Sequence, residues 1–567
     1  MKLTKFFLSG LVVLFILTVT LCCKLPGSKQ SDEKAVLKII PAGSSGIVLV
    51  NEAAGFSFEV PAGQTIPPGA ELSVTMESDL KEKKHEQFPI DAKANEVFKK
   101  TISLPSTQPG YWQVHASIIS KKEIIASAES GLAIVPQPEN FGKTDTASFF
   151  GMVNVADFEA AAKMGVKFNR TPVIWSFVEH EEGQFNWTYL DNKIEDGRKN
   201  GVATVLTIVS KTLATTEKVP WAKWKDENDL VSGANLEYYK DFVKAVVSRY
   251  KDKVAAFELT NEPDIAIYKN AQAANPGFGE KAGAFATWKL HTEAYKIIKE
   301  LAPETPVVGM DVSGGDFRNG MPFYKAVMSN GTHDVMDVFG GHAYTNNRAI
   351  GSETPIDFPN DYDLRGSIEK ALDVTSSFGL KKRFWGTELG WMYKDGTEAL
   401  SEDGREFGAV TAQALVTVKS IPGAEKLMWF VFTYNNNVGP GDLYNYSVVN
   451  GKTGNPYPYL AVNSYSAAAK LLYNTRPAGV LKLKKNVTAY VFDAIGDKHS
   501  VVVLWSNSGR TFRLNIQPDS SVHVFDMFGR EKEKGAAVSI TREPIYCVVS
   551  SDGESSVARD LQATGIQ

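Results

Sequence analysis

The chain has 567 residues, too long for one compact domain and suited to two to four. Apolar residues make up 43% and charged residues 22%, the balance of a folded soluble protein. Lysine and arginine number 61 against 65 acidic residues, a formal charge of −4, which argues against a nucleic-acid partner because such binders carry a basic excess or stripe.

Residues 1–23 read as an export segment. Lys2 and Lys5 precede an almost unbroken apolar run from Phe6 to Leu21, and Cys22 and Cys23 follow it. A cysteine at that point marks a bacterial lipoprotein, although Leu21 stands where that pattern takes a small residue. The run is also long enough for an uncleaved membrane anchor, and simple secretion is the third reading. All three place the folded part outside the cytoplasm and touch the membrane only through this segment. The remaining cysteine, Cys547, lies in an apolar strand and reads as core, so neither a disulfide framework nor a cysteine metal site is expected.

Residues 24–36 are polar, with Pro26, Gly27 and Ser28, and read as a tether. Residues 37–136 carry short strand-like runs, among them Phe56-Ser-Phe-Glu-Val, Leu72-Ser-Val-Thr-Met and Tyr111-Trp-Gln-Val-His. Gly and Pro punctuate them, which predicts an N-terminal β-sandwich. Residues 137–148 form a linker.

From residue 149 to 473 the rhythm is strand then helix, repeated. Eight short apolar runs fit buried parallel strands. They are Phe149–Val153, Val166–Arg170, Ala203–Val209, Ala255–Thr260, Pro306–Met310, Val335–Gly340, Arg383–Thr387 and Lys426–Phe432. Helical periodicity lies between them, clearest in Leu236 to Tyr250, with similar stretches at Phe285 to Leu301 and Phe407 to Val418. Eight βα units predict an α/β fold, a TIM (β/α)₈ barrel. A doubly wound sheet would carry a glycine-rich phosphate loop after its first strand, and Gly151-Met-Val-Asn-Val is not one. Residues 474–552 return to short strands and predict a smaller C-terminal β-sandwich. Residues 553–567 are a polar tail.

In such a barrel the working residues sit at the C-terminal ends of the strands. The fourth strand runs into Thr260-Asn261-Glu262-Pro263-Asp264, and the seventh into Gly386-Thr387-Glu388-Leu389-Gly390. Taken alone, the first is an ordinary strand exit and the second an ordinary neighbour of a helix cap. Together they deliver two carboxylates from opposite sides of one barrel mouth. Cleavage of a glycosidic bond needs that pair: one carboxyl protonated for the departing oxygen, the other ionised to attack the anomeric carbon. At about 5–5.5 Å separation the second acts as nucleophile and configuration is retained. Two carboxyls that close do not both ionise easily, so one pKa rises.

These residues resemble glycoside hydrolase clan A, the retaining (β/α)₈ enzymes. Glu258-Leu-Thr-Asn261-Glu262-Pro263-Asp264 is similar to that clan's fourth-strand signature, which implies Glu262 as acid/base and Glu388 as nucleophile. The resemblance extends to Arg170, at the end of the second strand, as the arginine that steadies the nucleophile. His342 and Tyr344 match the clan's His-x-Tyr after the sixth strand, and Trp429 on the eighth matches its sugar-floor tryptophan. The segment Trp175 to Asp191, with Glu179, Gly183, Phe185 and Trp187, resembles the second-strand loop of families 39 and 42. The third strand departs from family 5, since Val209-Ser210-Lys211 lacks that family's histidine, and the lean is towards family 39.

The chemistry of the side chains agrees. Asn261 can hydrogen-bond a sugar 2-OH. Arg170 can hold Glu388 ionised through its fork of donors, with a barrel-core ion pair as the plain alternative. Tyr344 can donate to the same carboxylate. Trp429 offers a flat apolar face to a sugar, with plain packing as its alternative. Trp221 and Trp224 line outer subsites or pack a loop. With no His-Glu-x-x-His, no nucleotide loop, and His333 too far from His342 to form a local pair, neither metal nor organic cofactor is expected. The sequence thus predicts an exported retaining glycoside hydrolase with a carbohydrate substrate. The alternative is a catalytically silent carbohydrate-binding surface protein on the same scaffold, which would have no need of both Glu262 and Glu388.

Overall fold

The structure is a computed structural model and describes residues 36–91, 95–209, 236–264, 280–313, 320–344, 349–352, 358–361, 363–434, 444–452, 455–483, 485–497, 499–515, 522–534 and 537–550. Residues 1–23, read above as an export segment, Trp221, Trp224 and the polar tail lie outside these residues. Among the described residues, no helix is long and apolar enough to cross a membrane.

Eight strands close into one barrel. They are β1 (Phe150–Val153), β2 (Phe168–Ile174), β3 (Ala203–Val209), β4 (Ala256–Leu259), β5 (Val307–Val312), β6 (Val338–His342), β7 (Phe384–Leu389) and β8 (Ala424–Trp429). Each pairs in parallel with the next, and β8 closes on β1 through Leu427↔Phe150 and Trp429↔Met152. All eight apolar runs of the sequence are barrel strands. Strand side chains alternate between the two faces. Every strand therefore sends one residue into the lower barrel: Val153, Phe168, Val205, Ala256, Val308, Val338, Trp385 and Met428 share one core. That layer is the floor on which the site stands.

Two strands depart from the expected pattern. β2 does not end at Arg170 but runs on to Ile174, pairing with β3 as far as Ile174↔Val209. Beyond Arg170, β1 offers no further partner, so β2 is paired on one side only and tolerates Pro172, which a fully paired strand would not. β5 is irregular between Gly309 and Val312, where Met310 and Asp311 both take positive φ, 80° and 27°. The irregularity turns Met310 into the outer core and leaves Asp311 buried against β7.

The outer helices follow their periodicity. In Leu236–Tyr250, the residues Tyr239, Phe242, Val243, Val246, Val247 and Tyr250 are buried. Glu402–Lys419 starts earlier than its apolar face because Ser401 caps it, accepting from Gly404 N at 3.1 Å, with Glu402 and Asp403 in the first turn favoured by the helix dipole. Glu280–Leu301 begins five residues ahead of its predicted start at Phe285.

Before the barrel, a three-stranded and a five-stranded sheet share one apolar core that includes Phe56, Phe58, Val74 and Val114. After it, a five-stranded and a two-stranded sheet enclose Val491, Val502, Leu504 and Cys547. Both flanking units are tied to the barrel by buried and part-buried polar contacts. Tyr111 donates its hydroxyl to Pro458 O at 2.7 Å, and Asn463 Nδ2 donates to Gly110 O at 2.9 Å and Ile134 O at 3.1 Å. Arg405 pairs with Glu543 at 2.7 Å, and Lys419 donates to Thr475 O at 2.9 Å. Arg530 of the last unit reaches Asp79 of the first at 2.7 Å.

Candidate active site

Two residues above the apolar floor, the same inward positions of β2, β3, β4 and β7 are Arg170, Thr207, Glu258 and Thr387. All four are buried. The centre of this polar layer is Arg170, 4% exposed, each of whose three nitrogens donates to a side chain of the site. Nε donates to Glu258 Oε2 at 2.6 Å, Nη1 to Glu388 Oε1 at 2.5 Å, and Nη2 to Asn261 Oδ1 at 2.9 Å. Burial opposes its charge, but Glu258 and Glu388 outweigh that and raise its pKa, so it stays a cation. Removing one partner from such a buried network costs about 3–5 kcal/mol, because the remaining charge is left uncompensated.

The exit from β4 is bent. Thr260 and Glu262 both lie in the left-handed region, at φ 68° and 48°. For residues with a side chain this costs on the order of 1–3 kcal/mol each and persists where the surroundings impose it. Here Glu262 N donates to Asp311 O at 3.1 Å, and Thr260 Oγ1 bonds Leu259 O and lies 3.1 Å from His291 Nε2. The bend carries the Glu262 carboxyl to His342, whose Nδ1 is 3.0 Å from Glu262 Oε1 and 3.5 Å from Glu388 Oε2. Tyr344 donates to Glu388 Oε2 at 3.1 Å. One oxygen each of Glu262 and Glu388 and a nitrogen of His342 lie within 4.8 Å of one another.

The electrostatics follow from the packing. Burial would lower the His342 pKa, but Glu388 and Glu262 outweigh it and hold the imidazole above its usual value. Burial, then Glu388, push Tyr344 far up, so its hydroxyl remains a donor. Asp264 is pushed up to about 6, chiefly by burial; Ser313, which donates to it from backbone at 2.9 Å and hydroxyl at 2.8 Å, pulls the other way. Glu262, His342 and Glu388 are also ligand types for a divalent cation. Against that use, both oxygens of Glu388 already accept from Arg170 and Tyr344, and the guanidinium opposes a second positive charge.

The structure thus brings together Glu262, Glu388, Asn261, Arg170, His342 and Tyr344. It does not bring Trp429 to them. Trp429 is fully buried on the outer side of the barrel, stacked on Trp391 with ring centroids 6.1 Å apart. Alternation along β8 puts Met428 inside and Trp429 outside, so the next inward ring is Phe430. Phe430 meets Tyr446 edge-on at 5.3 Å and Tyr344 at 6.4 Å, forming an aromatic wall beside Glu388. The loop after β2 folds as a small hairpin around Glu179, which accepts from Trp175 Nε1 at 2.6 Å and Gly183 N at 2.8 Å.

Three residues of the site escaped the sequence reading: Phe430, Tyr446 and Asp311. Glu258 was visible in the fourth-strand signature without a role. A charge inside the apolar run Ala255-Ala-Phe-Glu-Leu, and another in Val307-Val-Gly-Met-Asp-Val, were the available signals.

No protein-family model matches the sequence, and no curated protein matches it. Among solved structures, a family 39 glycoside hydrolase from the gut symbiont Bacteroides cellulosilyticus WH2 aligns with 90% of this chain and 100% of its own, with a TM-score of 0.64 and 17% identity. The likeness is one of fold, extending over nearly the whole described molecule. Bacteroides uniformis β-glucuronidase 2 aligns with 91% of this chain and 60% of its own, at a TM-score of 0.38 and 12% identity. The virulence factor SghA of Agrobacterium tumefaciens aligns with 55% of this chain and 84% of its own, at 0.41 and 15%.

Proposed function

We propose that the protein is an exported retaining glycoside hydrolase, with Glu388 as nucleophile and Glu262 as acid/base. The observation that carries this reading is the approach of one oxygen of Glu262 to one of Glu388 within 4.8 Å, at the C-terminal mouth of the barrel. That spacing suits direct attack by a carboxylate and leaves too little room for an interposed water. The fold likeness to a family 39 enzyme supports it, and the apolar run ahead of Cys22 supports export.

In the first step, a Glu388 oxygen attacks the anomeric carbon, the glycosidic C–O bond breaks, and the Glu262 proton passes to the departing oxygen. In the second, Glu262 takes a proton from water, the water oxygen attacks the same carbon, and Glu388 is released. Arg170 and Tyr344 fix the orientation of the attacking carboxylate. Asn261, held through its oxygen by Arg170, presents its amide N–H groups to a sugar hydroxyl. The wall of Phe430, Tyr344 and Tyr446 offers ring faces and edges to the sugar's C–H surface.

Two inversions at one carbon restore the starting configuration. Early-time NMR of the sugar released from an aryl glycoside should show the substrate's own anomer, before mutarotation. An inverted first product rules out Glu388 as nucleophile. No turnover across a panel of aryl glycosides favours a silent carbohydrate-binding protein instead.

A further inference from the structure

Glu258 and Asp311 stand under the proposed nucleophile without touching the sugar site. Both are fully buried, on adjacent strands β4 and β5. Each has one committed oxygen. Glu258 Oε2 accepts from Arg170 Nε and from Thr207 Oγ1. Asp311 Oδ1 accepts from Thr387 Oγ1 at 2.9 Å. Each also has one oxygen, Glu258 Oε1 and Asp311 Oδ2, with no donor among the described residues. The two carboxyls are neighbours, and a proton on either one would let it donate to the other.

Two ionised neighbouring carboxyls, each with an oxygen that receives no donor and is shut away from water, would carry both a desolvation penalty and like-charge repulsion. One proton removes both penalties, because a protonated carboxyl is a donor and its neighbour an acceptor. We infer that Glu258 and Asp311 share a single proton, carried by Asp311, and that this proton keeps Arg170 available to Glu388. The charge count is the reason. With Asp311 neutral, Arg170 faces Glu258 below and Glu388 above. With Asp311 ionised, a second anion below competes with Glu388 for the same guanidinium.

The fold is shaped for this carboxyl. Asp311 sits in the irregular stretch of β5 with φ 27°. Facing it, Gly340 of β6 leaves space that any Cβ would fill, since one built there lies 2.0 Å from Asp311 Oδ1. The charged groups that face Asp311 are Glu258 from β4 and Arg170 from β2, with Thr387 of β7 as the neutral donor. Burial, then Glu258, push its pKa well up, against the pull of Arg170.

Asp311 is then a positioning residue for the reaction proposed above and rests on that reading, but its proton can be tested without turnover. A folded-state pKa above the unfolded value means the native protein holds a proton that the unfolded chain releases. Stability is greatest below the unfolded carboxylate range and falls as pH rises towards the folded pKa. Asp311→Asn keeps the acceptor for Thr387 and a donor for Glu258 and cannot ionise. Its melting temperature should therefore fall less than that of wild type between pH 4 and pH 8 (about 4 units above the ordinary carboxylate value). The infrared spectrum of the wild-type protein at pH 8 should show a protonated-carboxyl band that Asp311→Asn lacks. In activity, Asp311→Ala should lose at least about tenfold in kcat/KM, mostly in kcat, because the lost donor frees Glu258. Asp311→Asn should recover most of that loss and move the alkaline limb of the profile to higher pH. Absence of the infrared band in wild type overturns the shared proton, whether or not any variant folds. With the band present, an Asp311→Asn protein no more active than Asp311→Ala overturns the positioning role. Failure of the wild type to cleave any glycoside would instead count against the proposed function and leave the spectroscopic result standing.

Discussion

Glu388→Gln should abolish turnover, lowering kcat on the order of 10⁴-fold or more, as removal of a catalytic nucleophile does. The amide fills the same space, its oxygen can still accept from Arg170 and its NH2 can donate to the Tyr344 hydroxyl, but it has no lone pair basic enough to attack an anomeric carbon. Folding should survive. Arg170 keeps its bond to Glu258 at 2.6 Å, so the guanidinium is not left without an anion. The experiment pairs initial rates on an activated aryl glycoside with a thermal melt. Activity within tenfold of wild type would remove Glu388 from the role. Lost activity together with a lost melting transition would mean a folding defect, and Glu388→Asp would then be the variant to assay.

Glu262→Ala should separate two classes of substrate. Those with poor leaving groups need protonation of the departing oxygen and should slow by about 10²–10⁴-fold, the usual worth of general acid catalysis. Activated aryl glycosides need little acid help in the first step, so the glycosyl-enzyme should form and accumulate. Its breakdown should be slow, since no base activates water. Azide fits the space left by the side chain and needs no base. It should restore turnover and give a glycosyl azide of retained configuration. Wild-type rates on poor leaving groups would show that Glu262 is not the acid. An impaired variant that azide does not rescue would direct attention to Asp264, whose pKa near 6 also suits proton transfer.

The barrel was legible because parallel strands buried on both faces must be apolar runs, and each of the eight is one. The carboxylates Glu262 and Glu388, with Arg170, His342 and Tyr344, were legible because each lies on or just beyond such a run. What escaped depends on details that composition does not record. Trp429 and Phe430 are neighbours of nearly equal apolar character, and only the parity of the strand decides which faces the barrel interior. The sequence reading ended β2 at Arg170, but it runs on to Ile174, and the early end of β1 is what permits Pro172 there. Asp311 turns inward through a local irregularity of β5, which shifts inward and outward positions by one residue; regular alternation counted from Val308 would have pointed Met310 into the barrel.

The ties between the barrel and its flanking units bear on how the molecule comes apart. Asn463, Tyr111 and Lys419 place the donors of one unit on the acceptors of another, in buried surroundings. Excising the barrel from either neighbour would strand these groups, at about 1–3 kcal/mol for each unsatisfied donor or acceptor that stays buried. The barrel is therefore not a detachable module, and the described molecule should melt as one cooperative unit. Differential scanning calorimetry should record a single transition; two well-separated ones would mean that these contacts do not couple the units, and would reopen truncation as a route to a minimal enzyme.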